Sequence, residues 1–257
     1  MKRKPPFLNV LICIVLFISC QNPKKEETSK KKLQLWQTKT ENGWKDFRKV
    51  SYVYNDEGQL IEEKAQRIVS EDSLVNQFRL LTQYNTGGKM LSKTREIWKD
   101  GKWTFAIQNS FVYENDRAIR RKDSMIIRGQ PKVIYVIYEY DSKGNLLNET
   151  GQESLDNSTP RPPRVVYKNN KDGKAIQKEF PALKNGQWVN SRKMILIYNK
   201  QGHHIETVRY NWKDSIWQEF IHYELNVDSL GTRLSELWKR SNPEGRKEFM
   251  RITYTYD

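Results

Sequence analysis

The chain has 257 residues and a formal charge of +14, with only 37% hydrophobic and fully 12% aromatic residues. That balance excludes a thick aliphatic core and suits a sheet covered by tyrosine and tryptophan. The two cysteines, Cys13 and Cys20, both lie in the first twenty residues, so the remainder has no disulfide, cysteine nucleophile or cysteine-based zinc site.

Taken in chain order, Lys2, Arg3 and Lys4 form a basic start, and Phe7 to Ile18 an apolar run broken only by Asn9. The run is shorter than the roughly 20 residues a membrane-crossing helix needs. Ser19-Cys20 follows directly. This arrangement resembles a bacterial lipoprotein signal, with Phe17 standing where leucine is usual. The resemblance implies cleavage before Cys20 and acylation of its thiol and new amino group; an ordinary secretory signal is the alternative. Several acyl chains hold a protein stably where one gives marginal binding. Gln21 after the cysteine implies, by the same resemblance, an outer-membrane lipoprotein on either the periplasmic or the surface side. The chain thus divides into a signal peptide (1–19), a lipidated cysteine with a polar tether "QNPKKEETSKKK" (20–32) and a folded remainder (33–257).

The remainder repeats. Gly58, Gly88, Gly144, Gly173, Gly202 and Gly231 occupy equivalent turn positions, with Arg117 in the place between Gly88 and Gly144. Successive steps are 30, 29, 27, 29, 29 and 29 residues. A tyrosine pair precedes the turn in full in Tyr52/Tyr54, Tyr138/Tyr140 and Tyr254/Tyr256, and in half in Tyr84, Tyr113, Tyr167 and Tyr198. The chain stops at "ITYTYD", a half-copy ending where the next turn would begin.

Each unit carries a second turn. "IWKDGKW" sets Trp98 opposite Trp103 and Lys99 opposite Lys102 around a two-residue Asp100-Gly101 turn, and "NWKDSIW" does the same for Trp212 and Trp217. Between turns the residues alternate with strand period: Trp103, Phe105, Ile107, Asn109, Phe111 and Tyr113 share one predicted face. The predicted fold is all-β, an antiparallel meander of 29-residue two-strand repeats forming a curved or spiralling sheet, with a closed barrel or propeller as the alternative. Pro160, Pro162 and Pro163 mark an edge or an excursion.

The recurring Tyr-x-Tyr-(Asp/Asn)-x-x-Gly-(Asn/Gln)-Leu, best seen in "YEYDSKGNLLNE" from Tyr138, resembles the YD repeats of Rhs-type proteins and, more loosely, MORN-like repeats of antitoxin-related bacterial proteins. The resemblance implies hairpin repetition and curved or spiralling sheets. It implies no activity, since no toxin or protease module is present.

No nucleophile elbow, phosphate loop, dinucleotide fingerprint or zinc-protease motif occurs, so no enzyme and no cofactor are expected. The three histidines, His203, His204 and His222, are too few for a metal centre unless carboxylates join them. Four Asp-Ser-apolar triplets, beginning at Asp72, Asp123, Asp214 and Asp228, resemble an O-glycosylation acceptor but are explained by turn chemistry. Trp98, Trp103, Trp212 and Trp217 form a candidate aromatic binding surface, the competing reading being that they hold a thin sheet together. The basic charge of an exported chain points to an anionic polysaccharide or a protein partner, not to nucleic acid, and discourages self-association. The expected function is a lipid-anchored, non-catalytic binding or structural module of the cell envelope. An immunity or antitoxin-like lipoprotein and a carbohydrate-active enzyme are the alternatives.

Overall fold

A computed structural model describes residues 30–70, 72–156 and 159–257. The predicted signal, Cys20 and most of the tether lie outside the described residues. Sixteen strands follow in order. The first eight are β1 (Lys31–Thr40), β2 (Gly43–Tyr54), β3 (Leu60–Ser70), β4 (Ser73–Tyr84), β5 (Met90–Lys99), β6 (Lys102–Glu114), β7 (Arg117–Ile127) and β8 (Gln130–Tyr140). The second eight are β9 (Leu146–Gln152), β10 (Pro160–Asn169), β11 (Ala175–Lys184), β12 (Gln187–Tyr198), β13 (His204–Lys213), β14 (Ile216–Val227), β15 (Arg233–Asn242) and β16 (Gly245–Tyr256).

Every strand pairs antiparallel with both sequence neighbours, and β16 pairs with β1, closing a barrel. This corrects the expected curved or spiralling sheet; the closed alternative is what forms. The physical reason is the edge. An open meander leaves a row of unpaired N–H and C=O groups at each end, and closure removes both. The proline strand is likewise no edge. β10 pairs with β9 and β11, its irregularity absorbed as a register shift between Arg161 and Arg164. Gly151 makes room there, because a Cβ on it would lie 2.5 Å from the Arg161 carbonyl oxygen.

The glycine turns explain the repeat. Asn55, Asn85, Asp141, Asn170, Asn199 and Asp228 each accept, through a side-chain oxygen, the N–H of the residue just after the glycine. The glycine N–H donates back to the same residue's carbonyl, as in Gly58 to Asn55 at 2.9 Å. Positive φ suits glycine here, and a second constraint adds to it. The side chain after each turn glycine lies over the next one: Asn145 over Gly173, Lys174 over Gly202, His203 over Gly231.

The second tyrosine of each pair reaches back to the first or second residue of the preceding strand. Tyr84, Tyr113, Tyr140, Tyr198 and Tyr256 donate to the carbonyls of Leu60, Met90, Ala118, Ala175 and Arg233 at 2.5–3.0 Å. Arg117 does not fill a glycine's place, contrary to the expectation from spacing. Its loop is a two-residue turn at Asn115 and Asp116, both at positive φ, so Arg117 begins β7 as ordinary strand. The short 27-residue step records that shorter turn together with a β7–β8 hairpin that has no register shift.

The seam uses the same chemistry. The Asp257 N–H donates to the Lys30 carbonyl at 3.0 Å, as the Asn55 N–H does to that of Gln59. Lys30 lies over Gly58 as Gln59 lies over Gly88. β16 and β1 are therefore the two halves of an eighth repeat, split between the chain ends. "ITYTYD" is completed by the chain's own beginning.

Bulges between the turns decide which face each residue takes. Trp98 pairs with Trp103 as expected, yet the register shifts between Phe105 and Ile107. Trp103 and Phe105 therefore lie on one side of the sheet, and Ile107, Phe111 and Tyr113 on the other. Strict alternation along this strand, as predicted, does not hold, because one extra residue at Ala106 reverses the pleat. Comparable shifts occur on β2, β4, β14 and β16.

Side chains converge on the concave side of a closed sheet and diverge on the convex side, so burial identifies the inside. The tyrosine face holds Val50, Ala65, Leu80, Val136, Met194 and Ile252, at most 5% exposed. It is the interior. The outer face exposes Val53 and Val112, each beside tyrosines, at 48% and 40%. Mid-strand it carries Lys49, Lys64, Arg79, Glu96, Lys122, Glu179, Lys193, Lys239 and Arg251. A lysine or arginine facing mid-bilayer hydrocarbon costs about 2–4 kcal/mol. A belt of such residues suits water, not lipid.

Candidate functional site

The candidate aromatic surface is not one surface. Trp98 and Trp103 meet edge to face at 5.0 Å, as do Trp212 and Trp217. Both pairs lie on the outer face beside their two-residue turns. The β5–β6 and β13–β14 hairpins that carry them are eight strands apart in a ring of sixteen, on opposite sides of the barrel. A cation covers one face of a ring in each pair. Arg79 lies 4.8 Å from the Trp103 ring and Lys193 4.7 Å from that of Trp217. The same device recurs with Arg251 over Trp44 and Arg164 over Trp188. In each case the cation comes from two strands back, so these contacts tie successive hairpins together.

The interior holds what sequence reasoning missed. The fifth residue after each turn glycine points inward: Glu63, Lys93, Glu149, Lys178, Thr207 and Glu236, with Gln34 and Arg121 in the remaining places. They form a belt against the tyrosines. Lys93 donates to Glu63 at 2.8 Å, and Arg121 donates to Asp123 at 2.7 Å, Glu149 at 3.2 Å and the Tyr138 hydroxyl at 3.0 Å. Tyr254 donates to Glu236 at 2.5 Å, Tyr52 to Gln34 at 2.8 Å, and Tyr167 to Glu149.

Burial sets the electrostatics of this belt. Desolvation pushes the hydroxyls of Tyr52, Tyr167 and Tyr254 well above the usual tyrosine range, with the nearby carboxylates adding to it. Burial lowers Lys31 and Lys178, and the charge of Arg233 lowers Lys31 further. Burial also opposes the charge of Arg121, but the hydrogen bond to Asp123 and the surrounding charges outweigh it and raise its pKa. The signal in the sequence is a polar or charged residue five places after each of the six repeat-turn glycines. Nothing local distinguishes it from a solvated face, because charge alternating with apolar residues ordinarily marks one.

The three histidines do not converge. His203 covers Gly231. His204 points inward, its Nε2 2.7 Å from the Thr207 hydroxyl. His222 lies on the outer face, 2% exposed, with Nε2 2.7 Å from Glu206. Among the described residues no group of three His, Cys, Asp or Glu side chains is placed to hold a metal. Of the Asp-Ser-apolar triplets, Asp123 is buried in the belt, and Asp228 caps a turn.

His204 gives a pH prediction. Burial, with the Arg233 charge second, pushes its pKa down to about 4, well below the usual histidine range. The unfolded chain therefore takes up this proton first. The neutral ring's contribution to stability is complete above about pH 6.5 and is lost as pH falls from there toward 4. His204→Gln is expected to flatten that part of the stability profile, measured as the difference between the two urea-unfolding curves across pH.

No protein-family model matches this sequence, and no curated protein does. Among solved structures the barrel is similar to a porin-like protein from Bacteroides uniformis, at 10% identity and TM-score 0.46, over 90% of this chain and 99% of that one. It is also similar to the TcdB2-TccC3-TEV structure, at 13% identity and TM-score 0.33, over 84% of this chain but 13% of that one. A DUF3836 family protein from Parabacteroides distasonis aligns over 40% of this chain at 21% identity and TM-score 0.23. The class is defined by the molecule itself: an all-β, sixteen-strand antiparallel barrel of eight hairpin units, with charged residues on both faces.

Proposed function

We propose that this chain is an exported, lipid-anchored barrel that acts as a non-catalytic binding module of the cell envelope. The observation that carries the reading is the pairing of Cys20, at the end of a signal-like segment, with a barrel whose outer wall is charged at mid-strand. Such a wall needs a separate anchor if the protein is to stay at a membrane. The chain enters the barrel at Lys30, on the rim of the glycine turns. The opposite rim, built from the two-residue turns, is thereby directed away from the anchor. The belt supports a non-catalytic role, because its acids and bases are engaged with one another.

Metabolic labelling with palmitate tests the anchor. The wild-type chain is expected to take up label and to partition with membranes, and Cys20→Ala to do neither. Label retained by Cys20→Ala would sink the lipoprotein reading.

A further inference from the structure

The interior changes character along its length. At the level of the tyrosines it is packed. Toward the two-residue turns it opens, and inward-facing Arg67, Arg192 and Arg240 are exposed. In this open half the inward residues from β12 through the seam to β5 are rich in arginine. Arg192, Arg209 and Arg240 stand on β12, β13 and β15, and Arg48, Arg67 and Arg95 on β2, β3 and β5. Among the described residues of these strands, no carboxylate faces inward below Glu63 and Glu236.

Five of these, Arg48, Arg67, Arg192, Arg209 and Arg240, form no ion pair among the described residues. Arg209 lies 5.3 Å from the Tyr223 ring and 5.2 Å from that of Trp238, and those two rings stack at 4.4 Å. Its buried Nε–H has no acceptor among the described residues. Arg240 lies over Phe249 at 5.1 Å and Arg192 over Phe180 at 6.0 Å. Arg48 lies over Trp36 at 4.8 Å and directly opposite Arg67 across β2–β3. Like charges directly opposite destabilise a sheet. The burial of Arg48 and the charge of Arg95 nearby both lower its pKa. A structural role for these residues would call for carboxylates, as the belt above supplies for Arg121. Here the protein offers aromatic faces to Arg48, Arg192, Arg209 and Arg240, and the Gln77 amide oxygen to the Arg48 Nε–H at 2.8 Å, but no carboxylate.

We propose that the open half of the barrel interior is a binding site for a linear polyanion, an acidic oligosaccharide with carboxylates along its length, held along one arc of the wall by Arg192, Arg209 and Arg240 and, across the seam, by Arg48 and Arg67. Guanidinium groups bind carboxylates in paired hydrogen bonds, and aromatic stacking pre-sets their planes. The spacing selects a chain over a single ion: Arg209 and Arg240 are two strands apart, about 10 Å at ordinary strand spacing. It also selects against nucleic acid, which binds single-stranded sites by stacking bases on uncovered rings. The inner rings here are already stacked under arginines. This site rests on the reading of the barrel as a binding module, but not on its anchor.

The test is calorimetric titration of the detergent-solubilised mature chain with oligogalacturonate, and with galacturonate as the single-charge control. The oligomer is expected to bind at least about tenfold more tightly than the monomer, a difference of about 1.4 kcal/mol. R192Q/R240Q, a pair of exposed positions whose replacement spares the packed half, is expected to lose that advantage. K49Q/K122Q, which removes the same charge from the outer wall, is expected to keep it. Equal losses in the two variants would reduce the effect to net charge and overturn the site. So would absence of oligomer binding, or equally tight binding of a DNA oligonucleotide. Because the titration uses purified chain, its failure leaves the palmitate result untouched, and the reverse also holds.

Discussion

Deletion of residues 245–257 is expected to yield an aggregating chain, whereas joining Asp257 to Lys30 and reopening the ring elsewhere is expected to yield a folded barrel. The deletion removes β16, the partner of both β15 and β1. It exposes two long strand edges at once, and such edges pair with other chains. The permutation, made on residues 30–257, asks whether the seam is an ordinary repeat turn. Asp257 and Lys30 already stand as Asn55 and Gln59 do across their turn. Three linker residues ending in glycine restore the missing loop, and a cut between Thr86 and Gly87 places new ends in an equivalent turn. The permutant is expected to melt within about 4 °C of its parent, the shift that about 1 kcal/mol gives a domain of this size. Unfolding of the permutant by circular dichroism under conditions where the parent is native would show that the seam is not equivalent to the other turns.

Arg121→Met is the point substitution expected to cost most. Arg121 is shared by Asp123 and Glu149, which are 4% and 8% exposed. Removing one member of a buried ion pair costs about 3–5 kcal/mol, because the remaining charge stays behind unpaired. Methionine keeps most of the volume, so a fall of that size in urea-unfolding free energy reports charge, not a cavity. Adding Asp123→Asn and Glu149→Gln to Arg121→Met is expected to recover most of the loss. If the triple variant is no better than the single one, the penalty is one of packing.

Several parts of this fold were legible before any coordinates. The hairpin unit, its two turn types, the Trp98–Trp103 pairing and the missing end of the last copy all follow from local chemistry. Asx-x-x-Gly and Asp-Gly dictate turns through backbone angles and hydrogen bonds that span a few residues. The faces were less legible. One bulge residue at Ala106 moves Trp103 from the tyrosine side to the opposite side, and no composition signal marks it. Spacing alone also misplaced Arg117, because a two-residue turn lacking glycine fills the same gap.

Seven repeat turns, a terminal half-copy and antiparallel hairpin pairing can be read from the residues alone, because each unit is closed by contacts among near neighbours. Only the tertiary structure decided that the chain closes, that the tyrosine face is the inside, and that the two tryptophan pairs stand on opposite walls. The physical reason is that closure depends on the sum of many small strand-to-strand rotations. Residues hundreds of positions apart, such as Lys30 and Asp257, meet only when that sum completes a full turn. The same closure gives the charges their meaning: arginines that alternate along separate strands become one acid-poor wall only when those strands face a common interior.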